Sequence, residues 1–217
     1  MTLHELHDRP LLRGWLHAAI FLVAIPAGIT LVARANGAAA TAGASIYAAS
    51  LLLLFGTSAS YHRLARSPQA RRVMRRLDHS MIFVLIAGTY TPVCLLVLPR
   101  VWCVTLLAVV WTVALVGIAL KTVAFDRFKV LQYALYPLLG WAAVGALPAM
   151  YHRLSAGQLF FLVAGGLLYS VGLPVLLTKR PNPWPRVFGY HEIWHVFTVV
   201  AAAAHFVLIG MLVSQPS

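Results

Sequence analysis

Two histidines four residues apart, His191 and His195, open the last apolar stretch of the chain in the run His191-Glu192-Ile193-Trp194-His195. On an α-helix that spacing is a rotation of about 400°, so the imidazoles project within roughly 40° of each other, one turn apart. Such a pair can grip one metal ion, with Zn²⁺ the commonest occupant. A hydrolytic site would also need a third ligand and a group that handles water. The remaining histidines and carboxylates are where these must be sought.

Carboxylates are scarce: only five acidic residues occur in 217. Glu5 and Asp8 lie near the N-terminus and Asp126 stands beside Arg127. Asp78 and Glu192 fall at the expected starts of apolar stretches, where an ionisable group is costly unless it has a partner or a task. His62 closes another apolar stretch, and Ser58 lies one turn deeper on the same helical face. His17 stands one turn into the first stretch.

The elements that must position these residues are membrane helices. The sequence is 61% hydrophobic and 10% charged, more apolar surface than a soluble domain of this length can bury. Seven stretches of membrane-spanning length are expected near 14–34, 42–62, 78–98, 101–120, 130–150, 157–178 and 191–213. Residues 1–13 and 214–217 are then short tails, and no cleavable signal peptide is evident. Short connections imply antiparallel neighbours in one all-α, seven-helix bundle without a second domain. Pro26, Pro92, Pro137, Pro148 and Pro174 fall within spans, where membrane helices tolerate kinks. Gly165-Gly166 is expected to allow close helix packing.

Orientation follows from the basic residues. Fourteen of the seventeen lie on the side of the N-terminus, six of them (Arg63, Arg66, Arg71, Arg72, Arg75 and Arg76) in the second connection. The opposite side has only Arg34, Arg100 and Arg153. The positive-inside rule then places the N-terminus in the cytoplasm and the C-terminus outside. The net charge of +12 is accordingly read as a topology signal and not as a nucleic-acid footprint. The six-arginine connection is also a contact for anionic lipid headgroups. Cys94 and Cys103 have no metal-binding spacing and are read as two small buried residues.

With this topology Ser58, His62, Asp78, His191 and His195, from three different helices, fall in one layer near the cytoplasmic boundary. His17 shares that depth, and its bland reading is an interfacial residue satisfied by water or lipid phosphate. Asp78 is also suited to cap the third helix. Glu192, rotated about 100° from His191, is expected to pair with Arg186 or Arg76. His205 would lie about 21 Å deeper than His191, in an interhelical hydrogen bond. His79 and His152 read as solvated or interfacial.

These motifs resemble the hemolysin III branch of the progestin and adipoQ receptor family. The resemblance rests on Ser58-Ala59-Ser60-Tyr61-His62, on Leu77-Asp78-His79-Ser80 with Ala87-Gly88-Thr89-Tyr90-Thr91-Pro92, and on His191-Glu192-Ile193-Trp194-His195. It implies a zinc site held by His62, His191 and His195, with Asp78 holding or activating water at the zinc and Ser58 supporting it. Family members often open with a glutamate, an asparagine and a histidine; here Pro10 and Arg13 take the first two places and only His17 matches. Receptor members carry long N-terminal domains, whereas this chain has a short tail, as bacterial members do.

Three imidazoles and one open position describe a catalytic zinc, which brings the pKa of water toward about 7. The resemblance therefore implies a zinc-dependent hydrolase of ceramide-like amides or related acyl lipids in the bacterial inner membrane. Two alternatives stand beside it. Zinc would be structural in a membrane sensor or regulator, or in a cytolytic protein of the kind the name hemolysin III suggests. Alternatively, His191-Glu192-Ile193-Trp194-His195 is a metalloprotease motif, with Glu192 as base.

Overall fold

The computed structural model describes residues 10–215. Glu5, Asp8 and Arg9, and the last two residues of the C-terminal tail, lie outside them. The helices are α1 (Trp15–Ala33), α2 (Ala38–Arg63), α3 (Pro68–Val97), α4 (Arg100–Val123), α5 (Lys129–Gly140), α6 (Leu147–Tyr151), α7 (Ala156–Thr178) and α8 (Tyr190–Val213). A 3₁₀ segment, Trp141–Ala146, joins α5 to α6. That composite forms the fifth of seven helical segments long and apolar enough to cross a membrane.

Sequence explains most of these elements. Ser67 accepts a hydrogen bond from Ala70 N at 3.1 Å and Pro68 follows at the first helical position, where its missing N–H costs nothing. α3 therefore starts at Pro68, well before the expected boundary at 78, and its first turns carry the arginines. This corrects the reading of Asp78 as a helix cap: it lies in the third turn. Ser155 and Gln158 form a reciprocal capping box at α7. In the fifth span Pro137 and Pro148 remove backbone donors, and the chain between them tightens into the 3₁₀ segment.

Consecutive spans from the first to the fifth pack on one another, and α8 packs on α7 and closes the bundle against α1, α2 and α3. Glycine allows the tight α2–α3 contact: a Cβ on Gly43 would lie 2.8 Å from Pro92 Cα. At the Gly165-Gly166 pair only the first behaves as expected, backing onto the His205 ring, while Gly166 faces open space. The core has two clusters, one around α3, α4 and α5 (Phe83, Val110, Leu139) and one around α2 and α8 (Tyr47, Phe55, Ile209). Cys94 is buried, Cys103 half-buried, and both are free thiols. Between α3, the broken fifth span, α7 and α8 lies a cavity of about 510 Å³.

Candidate metal centre

The last turn of α2 presents His62, and the first two turns of α8 present His191 and His195. One ligand nitrogen from each lies within 4.8 Å of the others. His62 Nε2 and His191 Nε2 are 3.2 Å apart. Zn–N bonds of about 2.0–2.1 Å at tetrahedral angles put ligand nitrogens about 3.3–3.4 Å apart. The three rings converge, with centroids separated by 4.5 to 5.3 Å. Three converging imidazoles are a donor set for zinc or another late first-row metal. The helical period that aligns His191 with His195 was legible locally; the arrival of His62 required α2 to pack on α8.

Around the cluster is a hydrogen-bonded shell that sequence reasoning largely missed. His17 is not interfacial but 4% exposed, lying flat on His195 with centroids 3.7 Å apart. Its Nδ1 meets Ser58 Oγ at 2.9 Å and its Nε2 meets Thr198 Oγ1 at 3.2 Å. Thr198 donates in turn to the His195 carbonyl at 2.8 Å. Partners on both nitrogens fix the His17 ring, and with it the face against which His195 rests. Ser58, 2% exposed, stands between His17 and Asp78, whose carboxyl its side chain also contacts.

Asp78 faces the cavity, with His79 Nδ1 at 3.9 Å. His79 is half-buried instead of solvated: Nδ1 meets the Arg75 carbonyl at 2.8 Å and its ring packs edge-on against Phe125. His152 is exposed, as expected. His205 is buried, with Nε2 3.3 Å from the Leu162 carbonyl on α7. Although too deep to join the histidine cluster, it lines the same cavity as His191. A single chamber therefore runs from the candidate metal ligands deep into the bundle, lined mainly by aliphatic and aromatic side chains.

Glu192 pairs with neither Arg186 nor Arg76. Its Oε1 is bound by Arg13, and its Oε2 accepts from Gly189 N at 2.8 Å, capping α8. Both oxygens are thus engaged in holding the start of α8. Residues 10–13, expected in the N-terminal tail, pack against the α7–α8 connection, with Leu11 N donating to Arg186 O at 2.9 Å. Gly14, which follows, has φ 79°, open to glycine at little cost. A Cβ there would stand 2.5 Å from His62 Cβ. Neither role of this segment has a signal in local periodicity.

Comparison with known proteins fits this architecture. A family model described as "Haemolysin-III related" matches residues 6–206. Hemolysin-3 of Bacillus cereus is 35% identical over 195 residues, covering 88% of this chain and 85% of that protein. The Hemolysin-3 homolog of Bacillus subtilis (strain 168) is 35% identical over 193 residues, covering 88% and 87%. The heptahelical transmembrane protein ADIPOR2 of Oryza sativa subsp. japonica is 26% identical over 175 residues, covering 72% and 76%.

Proposed function

This chain belongs to the haemolysin-III-related family, the hemolysin III branch of the progestin and adipoQ receptor family, and on that footing we propose that it is a zinc-dependent hydrolase of acyl lipids. It is a multi-pass protein of the plasma membrane. The observation that carries the proposal is one cavity lined by His191, His195, Asp78 and a long apolar wall. At about 510 Å³ it falls within the range of ligand pockets.

His62, His191 and His195 would hold the metal, which when bound supplies Lewis acidity toward a carbonyl oxygen and toward water. Asp78 is the general base: it takes a proton from water and returns it to the leaving amine or alcohol. Ser58 orients the Asp78 carboxyl, and His17 orients His195. The apolar wall takes up an acyl chain and excludes bulk water. A ceramide-like amide is the substrate class the family resemblance favours. The excess of basic residues on the face bearing the site supports a cytoplasmic location for it.

A second reading has one observation in its favour. All three candidate ligands lie on α2 and α8, which already pack together, so a metal there could serve only to fasten them in a non-catalytic sensor or regulator. The two Bacillus relatives carry the name Hemolysin-3, and a cytolytic activity here would register as erythrocyte lysis.

The deciding experiment measures metal content and fatty-acid release from a panel of acyl lipids on the purified protein. We expect one zinc per chain, metal-dependent release, and loss of both in His62→Ala, His191→Ala and His195→Ala. Asp78→Asn should keep the metal and lose release. Zinc without release from any lipid would favour the fastening role. A wild-type protein that binds no metal would refute both.

A further inference from the structure

A second, smaller cavity adjoins the large chamber. It has a volume of about 90 Å³ and is lined by Arg75, Lys121, Phe125, Gln132 and Tyr133. Tyr133 also lines the large chamber, so the two spaces meet at this residue. Arg75 is on α3, Lys121 is in the last turn of α4, and Gln132 is in the first turn of α5. The pocket therefore sits on the basic face of the bundle, at headgroup depth.

Its polar groups are incompletely matched. Lys121 is 1% exposed, and its ammonium lies over the rings of Tyr133, Phe125 and Tyr136 at 4.6, 5.3 and 5.3 Å. Among the described residues no hydrogen bond or carboxylate reaches it. Aromatic faces attract a cation but accept none of its three N–H groups well, which leaves the ammonium short of hydrogen-bond acceptors. Arg75 stacks on Phe125 at 4.3 Å and reaches Asp126 only at 3.7 Å, at the exposed rim.

Gln132 is fully buried, and its Nε2 donates to the carbonyls of Ala124 and Arg127 at 2.9 and 2.7 Å. Exchanging its amide oxygen and nitrogen would set an oxygen against those carbonyls, so the assignment is fixed by the network. Its Oε1 has no partner among the described residues. The pocket thus presents two cations, Lys121 and Arg75, and among its lining residues no carboxylate.

We propose that this pocket binds an anionic phosphate group, as in the headgroup of an anionic lipid or in a soluble phosphomonoester. The oxyanion accepts from Lys121 and Arg75, and the same two cations repel the quaternary ammonium of a choline headgroup. The volume, equivalent to several waters, admits one tetrahedral oxyanion. General attraction of a basic surface for anionic lipid requires no such pocket, and the site is independent of the histidine cluster.

The test is native mass spectrometry of the full chain in detergent with phosphatidylglycerol, phosphatidylcholine or glycerol 3-phosphate. We expect one retained phosphatidylglycerol per chain and no retained phosphatidylcholine. Binding should weaken by about tenfold or more in Lys121→Met and in Arg75→Gln. Arg66→Gln, in the connection before α3 and outside the pocket, should bind as wild type does. Displacement of the lipid by glycerol 3-phosphate would assign the site to a soluble phosphate, and no displacement to the lipid headgroup. Undiminished binding in folded Lys121→Met and Arg75→Gln would overturn the proposal. So would equal weakening by Arg66→Gln, or a wild type that retains none of the probes.

Discussion

Gly14→Ala is the most searching perturbation of the candidate centre, because it touches a ligand without removing it. Gly14 has φ 79°, and forcing an alanine into left-handed backbone costs roughly 1–2 kcal/mol. The new Cβ would stand 2.5 Å from His62 Cβ, whereas carbon atoms pack comfortably at about 3.5–4.0 Å. Overpacking of this kind typically costs about 1–3 kcal/mol, so the two effects together amount to about 2–5 kcal/mol. Part is expressed as lost stability and part as displacement of the His62 ring. If about 2 kcal/mol falls on the ring, zinc affinity drops roughly 30-fold. Competition with a chromophoric chelator measures affinity, and thermal unfolding in the same detergent measures stability. Gly145→Ala is the control, since a Cβ there meets nothing within 4 Å, and its stability should change by no more than about 0.5 kcal/mol. Wild-type stability and zinc affinity in Gly14→Ala would refute the placement of this residue against His62.

Glu192→Gln removes the Arg13 ion pair and should cost about 1–3 kcal/mol of stability while leaving metal binding and lipid hydrolysis in place; a folded, metal-loaded variant without hydrolysis would favour Glu192 as a base. His17→Gln gives up the ring that rests on His195 and should weaken zinc binding about 10–100-fold, with unchanged affinity counting against His17 as a positioning residue. Gly166→Phe fills open space in the chamber and should shift fatty-acid release toward shorter chains with metal content intact. An unaltered chain-length profile in that variant would mean that the acyl chain lies elsewhere.

Hydropathy and helical period are local properties, and they made the seven apolar spans, the shared face of His191 and His195, and the depth of His62 legible in the sequence. The start of α3 was locally encoded too, in Ser67-Pro68, but a criterion of apolar length passes over a helix whose first turns are arginine-rich. What the sequence could not supply was rotation and docking. His17 meets Ser58 and Thr198 across separations of 41 and 181 residues. Arg13 reaches Glu192 across 179, and Gly14 meets His62 only because α1 is turned toward α2. The fifth span, broken between Pro137 and Pro148, lines the chamber together with residues of α3, α7 and α8 that are far apart in sequence. Local pattern marks which residues lie at one depth in a bilayer. Only the packing of whole helices fixes which of those residues touch, because each helix's rotation is decided by the summed fit of all its neighbours.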